Sequence, residues 1–335
     1  MRAGTHTPES RSITVAEAGE LWLKACTAAG LERSTLDQYD THLRLHIVPM
    51  IGKVKLAQLN LPTVRNFEDR LAENGSSAIM IGKIVRSLGS LLAEAQERGL
   101  VAQNVVRSRR DGRGRAAERR QRGKLKIGVD IPSPDEIKRL IAHLNDRRRP
   151  LLLTAIFTGL RTSELLGLRW QDIDLKKEGL HVRQRADRYG VIGRLKSAAG
   201  ERTVPLPPFL VNTLREWKLA CPKGERDLAF PNIRGGLDHR PAVITRSFCP
   251  AQVAAGIVDA QGKAKYGGLH ALRHFYASWC INRKVDGGLE LPLKVVQARL
   301  GHASIQMTAD RYGHLFPSTD DGAELAAAEK AFLGT

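Results

Sequence analysis

The sequence predicts a mainly α-helical protein of two domains, the second of which holds one small antiparallel sheet. Three observations support this fold class. Apolar residues recur at helical spacing in four segments between residues 14 and 99. A strongly basic stretch with almost no apolar residues follows, at 107–126. Beyond it, one region, 172–207, alternates apolar and polar residues around glycine turns, which predicts three short strands, and helical spacing then returns.

Length and composition limit the class of protein. At 335 residues the chain can form two domains, each with its own apolar core. The longest apolar runs, such as 151–157, are far shorter than the ~20 residues of a membrane-spanning helix. The N-terminal residues lack the apolar core of a signal peptide, so we expect a cytoplasmic protein. Absence of CxxC spacing predicts reduced thiols rather than disulfides or a zinc site at Cys26, Cys221, Cys249 and Cys280.

The net charge is the first indication of a partner. Lysine and arginine number 53 against 35 acidic residues, which gives the chain a net charge of +18. Such an excess in an aromatic-poor protein favours a polyanionic partner, most often nucleic acid, over a merely soluble basic protein. Charge alone indicates no chemistry.

The helices of the first domain each have a start or a stop in the sequence. We predict them over 14–30, from residue 34 to a stop at Pro49, from Pro62 onward, and over 76–99. A capping threonine with a glutamate three residues later starts the first helix, and a proline in the first turn starts the third. Glycines end the first and the fourth. The result is an all-α module of four helices.

The basic stretch separates this module from the second domain, which opens at a predicted N-cap, Ser133. Ten of the twenty residues at 107–126 are lysine or arginine and three are glycine. A solvated, flexible linker and a segment that lies along a phosphate backbone are both compatible with this composition. The candidate backbone contacts are Arg107, Arg109, Arg110, Arg113, Arg115, Arg119, Arg120, Arg122, Lys124 and Lys126.

Three residues in the N-terminal half of the second domain are candidate site residues. Arg161 follows a Gly-Leu turn at the start of a predicted helix, where its donors suit a phosphate, although a surface arginine is the ordinary alternative. Glu164, one turn later, could orient an arginine or imidazole, or be a helix-surface acid. Lys196 lies near the tip between two predicted strands, where it could protonate a leaving oxygen or remain a solvated turn lysine.

The segment from Leu269 to Tyr312 holds the remaining candidates. His270 and Arg273 lie one helical turn apart. His274 could complete a zinc-binding pair with His270, but no glutamate lies between them and the intervening arginine would repel a cation, so we interpret His274 as structural.

The same segment ends in a second imidazole and a phenol. His302 follows Gly301 in a short predicted loop, and Tyr312 comes ten residues later. A lone tyrosine is usually a core aromatic. Because this one lies between Arg311 and Gly313, we predict an exposed nucleophile instead.

The motifs of the second domain follow one another in a fixed order: TGLRTSELLGLRW, a turn lysine before RTVPLP, HALRH, LGH and a tyrosine. This order resembles the signature of the tyrosine recombinase (phage integrase) family. The first four helices resemble the core-binding domain of that family, so the resemblance covers nearly the whole chain. It implies a disordered lead-in at 1–12, a core-binding (SAM-like) domain at 13–106, a basic linker at 107–130, and a catalytic domain at 131–335 with a C-terminal helix at 323–333.

The resemblance also implies a reaction. Tyr312 would attack the scissile phosphorus, form a 3′-phosphotyrosyl link and release a 5′-hydroxyl, with no metal, ATP or other cofactor. The other implied roles are phosphate contacts from Arg161 and Arg273, a hydrogen bond to the phosphate from His302, help in deprotonating the tyrosine from His270, protonation of the 5′ oxygen by Lys196, and support from Glu164.

The implied partner is double-stranded DNA at recombination sites, bound by a homotetramer that is monomeric when off DNA. An accessory DNA-bending protein or excision factor could take part, no membrane contact is expected, and the location would be the bacterial or phage-infected cytoplasm, at the nucleoid. The alternatives are a type IB topoisomerase-like nicking-closing enzyme and a catalytically idle DNA-binding regulator. Many relatives carry an N-terminal arm-binding domain, which residues 1–12 are too short to form. We also expect an extra loop within 281–299.

Overall fold

The computed structural model describes residues 12–107, 124–316 and 322–334. The chain divides into two compact units, Met1–Ala116 and Ala117–Thr335. The mainly helical fold class with a small antiparallel sheet is confirmed. The domain boundaries given above stay predictions, and most of the lead-in at 1–12 and seven basic residues of the linker lie outside the described residues: Arg109, Arg110, Arg113, Arg115, Arg119, Arg120 and Arg122.

The first unit is helical, with a core formed by the inward faces of its longer helices. Thr14 starts the first helix as predicted, through a capping box with Glu17. Trp22, Phe67 and Leu88 are almost fully buried between the helices. The helices are α1 Val15–Ala28, α2 Arg33–His42, α3 Val48–Ile51, α4 Leu61–Glu73 and α5 Ala78–Glu97.

The second predicted helix does not stop before Pro49, which corrects the sequence-based boundary. A π-helical turn, Leu43–Ile47, joins α2 to α3, and Pro49 lies in the first turn of α3. Proline breaks a helix because it lacks an N–H and its ring collides with the preceding turn. The start of a new helix removes the first obstacle, since first-turn N–H groups need no partner within the helix. The wider π turn removes the second, because it gives the proline ring room beside the preceding turn. Leu45, at the centre of the π turn, is 50% exposed.

The second unit is built around α7, whose residues from Pro150 to Ile156 are all buried. This helix packs against α9 and α12. The predicted cap Ser133 starts α6 through a capping box with Glu136. The helices are α6 Pro134–His143, α7 Arg149–Thr158, α8 Thr162–Gly167, α9 Pro208–Ala220, α10 Arg240–Val243, α11 Cys249–Ala254, α12 His270–Ile281, α13 Leu293–Leu300, α14 Ile305–Tyr312 and α15 Gly322–Leu333.

The region predicted as three strands forms five short strands in two groups. An antiparallel sheet has the strand order β1-β2-β5, and β3 pairs with β4 in a separate antiparallel ribbon. In the register of the sheet, Leu180 lies opposite Val204 and Val182 lies opposite Arg202. The strands are β1 Ile173–Asp174, β2 Gly179–Val182, β3 Gln184–Ala186, β4 Ile192–Arg194 and β5 Arg202–Pro205.

The predicted extra loop lies between α12 and α13, at 282–292. Its backbone returns to the end of α12, because the N–H groups of Leu289 and Leu291 donate to the carbonyls of Trp279 and Cys280 at 2.9 and 2.8 Å. The loop therefore packs on the helix that carries His270 without entering the connection to His302. Among the described residues, no helix combines the length and apolar character needed to cross a membrane.

Candidate active site

Five of the six predicted catalytic side chains lie around one cavity of about 430 Å³ in the second unit. They come from three places in the chain: the start of α8, the helix α12, and the connection and helix at α13–α14. The lining residues are Arg161, His270, Arg273, His302, Met307, Asp310, Arg311 and Tyr312.

Arg273 is buried within the cavity lining, with only 2% of its surface exposed. Its guanidinium donates to the carbonyl of Gly159 at 2.7 Å and to the carbonyl of Leu300. Both acceptors lie at the C-terminal end of a helix, α7 and α13, where the helix dipole is negative. Burial, followed by the positive charge of Arg161, lowers the pKa of Arg273 to about 9, so it remains protonated at neutral pH.

Glycines make these two helix ends possible. Gly159 ends α7 and Gly301 ends α13, both with a left-handed backbone, at φ +61° and +63°. A Cβ at Gly159 would lie 2.4 Å from the ring of Tyr276, and one at Gly301 would lie 2.8 Å from the guanidinium of Arg202. The two helix ends that hold Arg273 therefore have no room for a side chain at Gly159 or Gly301.

Arg161 and Arg202 share one buried carboxylate. Glu164, 2% exposed, accepts from Arg161 Nη1 at 2.7 Å and from Arg202 Nη2 at 2.9 Å. Burial by itself would raise the pKa of Glu164, but the charges of Arg202 and Arg161 hold it below its usual value. Arg161 also donates to the Gly301 carbonyl at 3.3 Å, and its side chain remains 37% exposed on the cavity side.

The substitution Glu164→Gln is expected to lower the free energy of unfolding by about 3–5 kcal/mol, because it leaves the buried Arg202 without its counter-ion. Urea unfolding of the whole chain measures the loss. The control is Asp135→Asn, which removes an exposed pair with Lys138 and should cost at most about 1 kcal/mol. Equal losses for the two variants would contradict the structural role of Glu164.

Tyr312 is buried, not exposed as predicted. Its side chain is 1% exposed at the end of α14, and its Oη lies 2.6 Å from Nδ1 of His274. Its ring is also stacked parallel to that of His302, with centroids 6.5 Å apart. The prediction failed because successive helix residues point about 100° apart, so the exposed Arg311 does not report the direction of its neighbour. Burial raises the pKa of Tyr312 to about 12, against the opposing charge of Arg273.

The three histidines around the phenol are uncharged at neutral pH. Burial and then the surrounding positive charges lower the pKa of His270 to about 4, of His274 to about 3 and of His302 to about 4. His270 and His274 form an edge-to-face pair with centroids 4.6 Å apart, and His302 Nδ1 lies 2.9 Å from Thr308 Oγ1. Within the parts of the chain that the structure describes, no three histidine, cysteine or acidic side chains cluster as metal ligands.

The charges around the cavity sum to a positive value. Four arginines face two acids, which leaves +2 while the histidines are neutral. Arginine donors around a cavity of net positive charge suit a phosphate-sized anion. The residues counted are Arg161, Arg202, Arg273 and Arg311 against Glu164 and Asp310.

Two predicted groups lie elsewhere. Lys196 is exposed in the bend after β4 and, among the described residues, is not part of the cavity lining. Lys124 and Lys126 are exposed on either side of Leu125, whose carbonyl accepts a hydrogen bond from His314 Nε2 at 2.7 Å. Because His314 follows Tyr312 by two residues, this bond ties the segment after the phenol to the end of the basic stretch. Arg107 is exposed in the first unit.

A sequence model described as the phage integrase family matches residues 133–318, more than half of the chain and all of the cavity lining. The chain belongs to the phage integrase family. The predicted resemblance to tyrosine recombinases is thereby confirmed.

Curated relatives of this integrase-family chain are tyrosine recombinases. It is 25% identical to a XerC-like tyrosine recombinase of Caldanaerobacter subterraneus subsp. tengcongensis, over 92% of this chain and 81% of that protein. It is 30% identical to tyrosine recombinase XerC of Xylella fastidiosa, over 70% of this chain and 79% of that protein.

Solved structures show the same fold. The Tn1549 transposon integrase in complex with a circular intermediate DNA has a TM-score of 0.72 at 18% identity and covers 96% of this chain and all of that one. A lambda integrase dimer bound to a COC' core site has a TM-score of 0.63 at 19% identity and covers 88% of this chain and 97% of that one. At these identities the likeness concerns the fold alone.

His274 was interpreted as structural and Arg202 was not predicted as a site residue, although the sequence holds a signal for each. His274 lies four residues after His270, which places both on one face of α12. Arg202 lies two residues before the buried Val204, so the period-two alternation of β5 turns both inward. An inward-facing arginine in a small sheet requires a buried acid, which Glu164 supplies.

Proposed function

We propose that this phage integrase family member is a site-specific recombinase that cleaves and rejoins DNA through a 3′-phosphotyrosyl link at Tyr312, integrating or excising a mobile element. The observation that carries the proposal is the convergence of a buried phenol, two differently held arginines and neutral imidazoles on one positively charged cavity. The family membership supports the same reaction.

The two lining arginines divide the work on the scissile phosphate. Arg273 is fixed by main-chain carbonyls and would contact one non-bridging oxygen from the buried side of the cavity. The more exposed Arg161 would contact another. Both would stabilise the extra negative charge of the pentacoordinate transition state. His302 already uses Nδ1 for Thr308, so Nε2 remains for a hydrogen bond to the phosphate.

The attack exchanges one phosphodiester for another. The bond from Tyr312 Oη to phosphorus forms as the bond to the 5′ oxygen breaks, and Lys196 gives that oxygen a proton. Since Lys196 lies in an exposed bend, its loop must approach the cavity when DNA is bound. The covalent link retains the phosphodiester energy and the arginines supply the charge, so the reaction requires neither ATP nor a metal.

The DNA partner and the assembly follow from the same proposal. Solved relatives include the DNA-bound integrases above and a lambda integrase tetramer bound to a Holliday junction. We extend double-stranded DNA binding and a tetramer on DNA to this chain, in the bacterial or phage-infected cytoplasm, with an accessory DNA-bending or excision protein where the site needs one. The exposed apolar residues of α15 support docking on a neighbouring protomer: Leu325, Phe332 and Leu333.

A trapping experiment tests the reaction. Nicked duplexes that tile the DNA flanking the gene are incubated with the protein, and adducts that survive detergent are digested and identified by mass. We expect a nucleotide on the peptide that contains Tyr312, and exchange products when two duplexes of different length are mixed. Adducts without exchange products, together with relaxation of a supercoiled plasmid by the protein, would favour the nicking-closing enzyme. Absence of adducts would favour the idle regulator.

Neutralising the basic residues of 107–126 is expected to weaken binding to all DNA sequences and to flatten its salt dependence, by about 0.9 in the logarithmic slope for each phosphate that the protein no longer neutralises. The expectation follows because side chains that bind the phosphate backbone release counterions and carry no sequence information. Binding titrations at several salt concentrations measure it. Replacing the arginines with lysine keeps the charge and should keep the slope. A loss of affinity confined to one DNA sequence would argue against a backbone role.

A further inference from the structure

We propose that His274 accepts the proton of Tyr312 during attack on phosphorus and returns it during rejoining. The inference rests on the proposed function and deepens it. It moves the proton-acceptor role from His270, where the family resemblance placed it, to the histidine one helical turn later.

The contact geometry separates the two histidines. The Oη of Tyr312 lies 2.6 Å from Nδ1 of His274, and both side chains are buried. His270 lines the cavity, and its ring meets the His274 ring edge-to-face with centroids 4.6 Å apart, whereas the Tyr312 ring packs against His274. His274 therefore touches the reacting oxygen, and His270 is placed to meet the phosphate.

The protonation state of His274 suits an acceptor. At neutral pH its imidazole is uncharged, since burial and the charged groups around it lower its pKa to about 3. With the ring proton on Nε2, Nδ1 can accept the phenol O–H. The titratable and charged groups that surround it are His270 and Arg273 on α12, His302 before α14, and Arg311 and Tyr312 on α14.

Transfer has to accompany the attack rather than precede it. The pKa of Tyr312 is raised to about 12, so the resting phenol keeps its proton. A phosphodiester in the cavity adds negative charge beside Arg273 and Arg311, which raises the pKa of His274. As the bond from Oη to phosphorus forms, the phenol oxygen loses basicity, and transfer to Nδ1 becomes favourable in the transition state.

The step balances. During cleavage the Oη–H bond breaks, the Oη–P bond forms and the P–O5′ bond breaks; the phenol proton goes to Nδ1 of His274, and Lys196 gives a proton to O5′. During rejoining the 5′-hydroxyl attacks phosphorus and gives its proton to Lys196, while Oη departs and takes the proton of the His274 imidazolium. A variant that lacks this acceptor should therefore slow both cleavage and rejoining.

The test is His274→Gln, which keeps a hydrogen-bond acceptor but cannot be protonated. Single-turnover adduct formation on a nicked duplex should fall by about 10²–10³-fold. With DNA bound, the phosphate raises the pKa of His274 above its resting value of about 3, so the wild-type single-turnover rate should fall as the pH is lowered through that raised pKa. This limb of the pH profile should disappear in the variant. The matched control, His270→Gln, should keep the limb. A purely structural role for His274 would lower the rate at all pH values without changing the profile.

A rescue completes the design. Replacing Tyr312 with a fluorinated tyrosine gives a more acidic phenol, which needs less help from a base and should recover about tenfold of the His274→Gln loss. A loss caused by misfolding would not be recovered. If the wild type forms no adduct at Tyr312, the proposed function and this inference both fall. If it does and His274→Gln matches its rate and pH profile, only the role of His274 is overturned.

Discussion

Tyr312→Phe is expected to abolish covalent protein–DNA adducts while leaving DNA affinity within about twofold of the wild type, because affinity comes mainly from basic contacts to the phosphate backbone. The phenol is the group that would attack phosphorus, and phenylalanine offers no substitute. The substitution also leaves Nδ1 of the buried His274 without its partner, at a cost of about 1–3 kcal/mol in unfolding free energy.

Adduct yield on a nicked duplex and a parallel binding titration measure the two parts of this expectation. Tyr276→Phe is the control, since Tyr276 is equally buried in α12 but does not line the cavity. Adducts at the wild-type yield from Tyr312→Phe would refute the nucleophile assignment.

Arg161→Ala is expected to slow cleavage by about 10²–10³-fold, the usual loss when one preorganised donor to a transition-state anion is removed. The fold should survive, because Glu164 keeps its 2.9 Å pair with Arg202. The effect should therefore appear in the rate and not in the unfolding midpoint. Arg161→Lys should recover only part of the rate, since lysine lacks the planar fork of donors.

Single-turnover cleavage together with thermal unfolding separates these quantities. Arg234→Ala removes an exposed arginine outside the cavity and serves as the control. Cleavage by Arg161→Ala at the wild-type rate would show that this arginine does not hold the phosphate.

The sequence predicted the lining of the cavity well because its motifs carry local geometry. The turn before Arg161 and the one-turn spacing of His270 and Arg273 are set within a few residues. The glycine before His302 likewise marks the end of a helix. Such features survive whatever packs around them, so the structure brings these residues together as the resemblance implied. The specific roles of these residues stay predictions.

What sequence could not supply depends on packing between distant segments. The pair of Glu164 and Arg202 joins residues 38 positions apart. The burial of Tyr312 is decided by how α14 packs on α13 and by the contact of the phenol with His274 on α12, which no neighbour in sequence reports. The exposed position of Lys196 likewise reflects the path of the loop after β4. The chain also stays helical past Pro49, where the sequence predicted an end, because a π turn precedes the proline and a new helix begins around it.

The two arginines of the cavity differ in how readily mutation could release them. Arg161 depends on the side chain of Glu164, which a single codon change can remove. Arg273 is held by two carbonyls of the main chain, and every amino acid at those positions would still supply a carbonyl. Mutation can therefore change the orientation of Arg273 only by displacing these backbone carbonyls, for example by substituting the glycines that end α7 and α13.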